Sequence, residues 1–168
     1  MIDELVANSL FEPESIVIDV GSWDNIKPSL TLASKGKSVI AIDRYQRMEK
    51  FKGNLEEAVR CGKIDRNIAE RIQPMKADAN QLPFRNNSID GVLFWYSTSW
   101  LQQFGSEMLV VYKEVRRILK DKGVVIIVEQ TADRAKEQEL FLNTQMKTNR
   151  VGALIIGRKV KIEEFPLD

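Results

Sequence analysis

The chain has 168 residues, 43% of them hydrophobic and 29% charged, with a formal net charge of +1. That length suits one compact core, read here as a single domain over 1–168, and the interspersed, nearly balanced charge offers no basic face for nucleic acid or an anionic membrane. Histidine is absent and Cys61 is the only cysteine, which removes the usual general base, the usual catalytic metal ligand and any paired-cysteine metal site.

From the N-terminus, Met1-Ile2-Asp3-Glu4 has neither the basic start nor the apolar stretch of a secretory signal, and nowhere does an apolar run reach membrane-spanning length. A cytoplasmic location is expected. Residues 2–11 read as a small helix. Ser15–Val20, Ser38–Asp43, Ile89–Phe94 and Val124–Glu129 are β-branched, almost continuously apolar runs, as parallel strands covered on both faces must be. A weaker strand, Ile72–Lys76, carries Pro74, which cannot donate a ladder hydrogen bond and so predicts a sheet edge. Helices are expected over Ile26–Lys35, with Asp24 or Asn25 as N-cap and Gly36 as the closing residue, then over Tyr45–Cys61, Ser106–Lys120 and Ala132–Met146. Ala153–Val160 reads as a last strand in which Gly157 interrupts an otherwise apolar run, and residues 161–168 read as a frayed tail. Strands alternating with helices predict an α/β fold: a doubly wound, mostly parallel sheet in a three-layer α/β/α sandwich.

In such sheets ligands bind beyond the carboxyl ends of the strands, where strand order reverses. Asp19 closes the first strand and is followed by Gly21, where the chain turns toward a helix whose N-terminal amides can face an anion. Asp43 closes the second strand, placed to accept hydrogen bonds from both hydroxyls of a ribose. Downstream, Lys76-Ala77-Asp78-Ala79-Asn80-Gln81-Leu82-Pro83-Phe84 is followed by Asn87-Ser88-Ile89-Asp90-Gly91-Val92. This string resembles the D-A-x-x-L-P-F … N-S-F-D-x-V segment of class I, Rossmann-like S-adenosylmethionine-dependent methyltransferases, in particular the branch of ubiquinone and menaquinone biosynthesis. Val17–Gly21, Ala41–Asp43 and Glu114–Gly123 are similar to further segments of that family.

The resemblance implies S-adenosyl-L-methionine as cofactor. It implies that Gly21 makes room for the methionine moiety, Asp43 binds the ribose, Asp78 accepts from the adenine amino group and Ala79 offers its backbone N–H to the ring, with Arg44 and Leu82 against the ring faces. Asp19, Ser22, Trp23 and Phe94 complete the expected cofactor set. Tyr96, Ser97 and Trp100, after the fourth strand, are candidates for the substrate pocket, and no metal is expected. Cys61 reads as structural.

One departure stands out. The family's first motif runs D-x-G-x-G-x-G, whereas this chain has Asp19-Val20-Gly21-Ser22-Trp23-Asp24-Asn25. Asn25 tolerates a left-handed conformation. Trp23 can block the pocket, turn outward and reshape the loop, or wall the substrate side. In-line methyl transfer needs orientation more than a strong base, so no catalytic residue is named, and the methyl acceptor stays unassigned. Short flanking segments leave room for a partner subunit or a second copy to complete the site. The alternative is a non-catalytic interaction module that keeps the fold. A dinucleotide enzyme is disfavoured because Gly21–Ile26 fails G-x-G-x-x-G.

Overall fold

The computed structural model describes residues 11–12, 14–44, 47–103 and 105–159. The anticipated helix over 2–11, apart from Phe11, and the anticipated tail 161–168 lie outside these residues. In chain order the elements are β1 (Ile16–Val20), α1 (Lys27–Ala33), β2 (Ser38–Asp43), α2 (Met48–Arg60), α3 (Arg66–Ala69), β3 (Ile72–Lys76), β4 (Ile89–Trp95), α4 (Thr98–Gln103), α5 (Met108–Ile118), β5 (Leu119–Val128), α6 (Ala132–Asn143), β6 (Lys147–Val151) and β7 (Leu154–Arg158).

The strands form one seven-stranded sheet in the order β3-β2-β1-β4-β5-β7-β6. Pairing is parallel from β3 through β5, and β7 runs antiparallel to both of its neighbours. Side chains alternate across the strands, so the central strands feed two cores, one on each face of the sheet. Val17, Leu93, Ile126 and Val128 pack with Leu32 of α1 and Met48, Phe51 and Leu55 of α2. Ile18, Val20, Val92, Phe94, Val125 and Ile127 pack with Val111, Tyr112, Val115 and Ile118 of α5 and Leu142 of α6. The expected three-layer α/β/α sandwich is what the chain forms, with Pro74 on the edge strand β3.

The differences from expectation lie at element ends. Helix α5 stops at Ile118 instead of Lys120, because Leu119 already pairs with Ile89 in the sheet. The next pair is Gly91 with Val124, so residues 120–123 loop out of the ladder. Helix α1 has Ile26 as its N-cap with no side-chain cap bond; Asn25 instead accepts from the Lys27 amide at 3.2 Å. Strand β6 was not anticipated, and the helix expected to reach Met146 ends at Asn143 to make room for it. Gly157 lies inside β7 and is paired on both sides; a Cβ there would stand 2.9 Å from Cδ2 of Leu142.

At the amino-terminal edge of the sheet, the Lys37 ammonium donates to the Phe11 carbonyl at 2.6 Å in a buried setting that pushes its pKa down. The Phe11 ring fills the space a side chain would need at Gly91, where a Cβ would fall 2.0 Å from Cε1. Gly91→Ala is therefore expected to lower stability by about 2 kcal/mol through overpacking. A urea-melt midpoint unchanged from the parent would contradict this packing.

Candidate functional site

The chain runs outward from β1 to β3 and then returns to place β4 on the other side of β1, so the strand order reverses between β1 and β4. At that point the carboxyl ends of two strands diverge and leave a crevice. Gly21 follows β1 with φ +70, and a Cβ on it would lie 2.7 Å from the Cβ of Ser97, which follows β4. Glycine is thus required both by the turn and by the approach of Ser97. The Ser97 side chain is 3% exposed, and its hydroxyl has no hydrogen-bond partner among the described residues. A buried hydroxyl without a partner on a cavity wall is unusual in a folded protein and marks where a ligand's polar group can go.

The loop after β1 is closed on itself. The amides of Gly21 and Ser22 both donate to the Ile42 carbonyl, at 2.9 and 3.1 Å, and the Asn25 amide donates to the Ser22 carbonyl at 3.1 Å. The Trp23 amide donates to Oδ2 of Asp43 at 3.2 Å. Trp23 adopts φ 54, a left-handed conformation that costs a non-glycine residue about 1 kcal/mol. The indole packs edge-on against Trp100, with ring centroids 5.0 Å apart, and its face carries the Arg47 guanidinium, whose Cζ lies 3.8 Å from the ring centroid. Helix α2 is fastened to the same loop through Lys50, which pairs with Asp24, and through Asn54, which donates to the Asp24 carbonyl at 2.8 Å.

Asp43 ends β2 and Lys76, its register partner, ends β3. The segment beyond β3 turns sharply. Asp78 accepts from the backbone and side-chain nitrogens of Asn80 at 2.9 and 3.1 Å, and its other oxygen lies 3.6 Å from Nε of Arg44. Ala79 is buried behind this turn. The following backbone is gripped from α5: Glu114 accepts from the Leu82 amide at 3.0 Å, while Arg117 donates to the Leu82 and Phe84 carbonyls at 2.9 and 2.8 Å. The hydrogen bond with Arg117 holds the Glu114 pKa below its ordinary value.

These pieces enclose a cavity of about 580 Å³, within the range of small-molecule sites. Of the expected site residues, Gly21, Trp23, Asp43, Arg44, Asp78, Ala79, Ser97 and Trp100 line it. Trp23 therefore stands in the wall beside Trp100 and leaves the cavity open. The others sit behind or beside it. Asp19 is buried, accepts from the Ser29 hydroxyl at 2.7 Å, and burial raises its carboxyl pKa to about 7. Ser22 and Leu82 are buried, and Phe94 lies in the core edge-on to Tyr112. Tyr96 is 38% exposed and packs on Trp95. The lining also includes Arg47, Lys76, Leu101 and Ser106, which the sequence reading missed. Arg47 and Lys76 lie just beyond Arg44 and just before Ala77, so proximity to strand ends was the available signal.

A doubly wound sheet with this strand order, carrying a cavity with carboxylates at its switch point, defines a Rossmann-like α/β protein of the small-molecule-binding kind. Residues 18–127 match the family model described as a methyltransferase domain, and the chain belongs to that family. Its fold is similar to that of a Methanococcus maripaludis protein assigned as an S-adenosyl-L-methionine-dependent methyltransferase, with TM-score 0.77 and 20% identity over 98% of this chain and 86% of that one. It is likewise similar to a SAM-dependent methyltransferase from Methanosarcina mazei, with TM-score 0.72 and 18% identity over 92% and 97% of the two chains. A third similar structure, from Haloferax volcanii, is a complex between the Trm112 methyltransferase activator and the protein assigned as a methyltransferase, with TM-score 0.73 and 12% identity over 95% and 89%. No curated protein matches the chain in sequence.

Proposed function

We propose that the chain is an S-adenosyl-L-methionine-dependent methyltransferase whose cofactor occupies the cavity between Gly21, Asp43, Asp78 and Ser97. The observation that carries this reading is the cavity itself, placed at the switch point with a strand-terminal carboxylate and an unpartnered buried hydroxyl in its walls. The residues fit the group. Asp43 would accept from the ribose hydroxyls, Asp78 from the adenine amino group, and the Ala79 amide would donate to a ring nitrogen. Gly21 and Ser97 would face the methionine arm. When bound, the cofactor supplies a methyl group on a sulfonium, transferred to an acceptor nucleophile as the sulfur–carbon bond breaks. The protein's part is orientation and exclusion of water, which suits a site without histidine.

The acceptor is a nucleophile approaching past Trp23 and Trp100, the latter 43% exposed at the cavity mouth. The Asp78–Phe84 and Asn87–Val92 strings support placing the protein in the branch of quinone biosynthesis. The exposed Tyr96 and Trp100 also suit a covering partner subunit, in the manner of the Haloferax complex. Among the described residues no helix is long and apolar enough to cross a membrane, and we place the protein in the cytoplasm on its single, unpaired cysteine.

Isothermal titration with S-adenosylhomocysteine tests the cofactor reading. Saturable binding well below millimolar concentration is expected, and no heat at millimolar concentration would reject it. Binding without methyl transfer to any acceptor or in any reconstituted complex would favour the interaction-module reading.

A further inference from the structure

We propose that Arg47 holds the carboxylate at the methionine end of the cofactor, taking over the anion-binding work that loop and helix amides were expected to do. This rests on the cofactor reading above.

Five of the seven amides from Gly21 to Lys27 are already committed inside the protein, those of Asp24 and Ile26 being the exceptions. Those of Gly21 and Ser22 bond to Ile42, that of Trp23 to Asp43, that of Asn25 to Ser22 and that of Lys27 to the Asn25 side chain. Pro28, at the first turn of α1, has no N–H to offer. An anion next to this loop therefore meets few amide donors, and a side-chain cation is its stronger partner.

Three cations in the cavity lining are available for comparison: Arg44, Arg47 and Lys76. Arg44 lies against Asp78, at the turn assigned to the adenine. Lys76 ends β3, and β2 separates it from β1 and the Trp23 loop. Lys50, nearby on α2, is paired with Asp24. Arg47 is the cation that sits on the Trp23 loop, and it forms no ion pair among the described residues. Its guanidinium lies over the indole at 3.8 Å from the centroid. That contact uses the π face of the guanidinium and leaves the N–H donors, which radiate in its plane, able to take a carboxylate in a two-pronged bond. Trp23 is itself fixed by its amide bond to Asp43 and by Trp100, so the guanidinium rests on an immobilised platform and loses less freedom on binding. The tryptophan that displaces a glycine from the motif thereby acquires a use: it positions the replacement anion site.

The experiment compares two ligands that differ in the amino-acid arm. S-adenosylhomocysteine carries the carboxylate, and 5′-methylthioadenosine lacks the whole arm. Both are titrated calorimetrically into the parent chain, Arg47→Ala and Arg47→Lys. Arg47→Ala is expected to weaken S-adenosylhomocysteine about tenfold, as the loss of a charge-assisted bond at an exposed position implies, while methylthioadenosine binds within about twofold of the parent. Arg47→Lys should recover part of the loss, since it keeps the charge and not the planar fork. Equal weakening of both ligands would overturn the proposal and leave Arg47 a prop for Trp23. Undiminished S-adenosylhomocysteine affinity in Arg47→Ala would overturn it outright. If the parent binds neither ligand at millimolar concentration, the cofactor reading itself falls, an outcome distinct from both.

Discussion

Asp43→Ala is expected to lower affinity for S-adenosylhomocysteine about a hundredfold. Hydrogen bonds to a charged group are worth about 1.5–3 kcal/mol each, and the loss of two, partly offset by water, amounts to about 3 kcal/mol. Asp43 stands at the carboxyl end of β2 in the cavity wall and does two things at once. It is the proposed ribose acceptor, and its Oδ2 accepts the Trp23 amide at 3.2 Å, holding the left-handed loop residue in place. Removing the side chain therefore removes a ligand contact and loosens the loop. Two comparisons separate these effects. Asp43→Asn retains an oxygen for the Trp23 amide and should lose only about tenfold, the difference between a charged and a neutral acceptor. A 2′-deoxy analogue of the ligand should bind the parent less tightly than the ribose form, whereas Asp43→Ala should not distinguish the two. If Asp43→Ala discriminates as strongly as the parent, the ribose contact lies elsewhere.

The feature most legible in the sequence was the parallel core of the sheet. β1, β2, β4 and most of β5 are short, mainly apolar runs buried on both faces, and a chain has few other uses for such runs. Strand β6 gave no comparable signal. Lys147-Thr148-Asn149-Arg150-Val151 has no apolar face; it is a strand because β7 offers it hydrogen bonds, and its lysine and arginine suit an edge. Tertiary pairing decided its state.

The site divides along the same line. Asp43 and Asp78 could be found because strand ends and a specific string mark them. Trp23 could be flagged as a departure, but its direction could not be read, since that follows from φ 54 and from the positions of Trp100 and Arg47. Asp19, at an equally conspicuous strand end, lies behind the wall because Ser29, ten residues on, returns along α1 to bond it. Glu114 and Arg117 were legible only as part of a string. Their work, gripping the backbone that follows the Asp78 turn, depends on α5 crossing beside it.

Asp19 gives the second large expectation, a loss of stability as pH rises from about 4 to about 7. Burial raises its carboxyl pKa from 3.8 to about 7, opposed by the Ser29 hydrogen bond. In the unfolded chain the group loses its proton near its ordinary value, whereas in the folded chain it keeps the proton until about pH 7. Across that window the folded state binds more protons, so raising the pH favours unfolding, and above about pH 7 the penalty is constant. At about 1.4 kcal/mol per unit the full effect is on the order of 4 kcal/mol, which for a chain of this size corresponds to a fall in Tm of roughly 10 °C. Asp19→Asn keeps an oxygen for Ser29 and cannot ionise, so its Tm should lack this fall. The informative quantity is the Tm of the parent minus that of the variant between pH 5 and pH 8, in which the contributions of other groups cancel. Glu114 acts in the opposite sense and below this window: its pKa is depressed, so it stabilises above its unfolded value and loses that contribution on acidification. A difference that stays flat from pH 5 to pH 8 would mean that Asp19 is ionised in the folded protein throughout, with a compensating positive group against it. A difference that narrows on adding S-adenosylhomocysteine would mean that the ligand's ammonium reaches the same carboxylate through the wall formed by Val20 and Gly21.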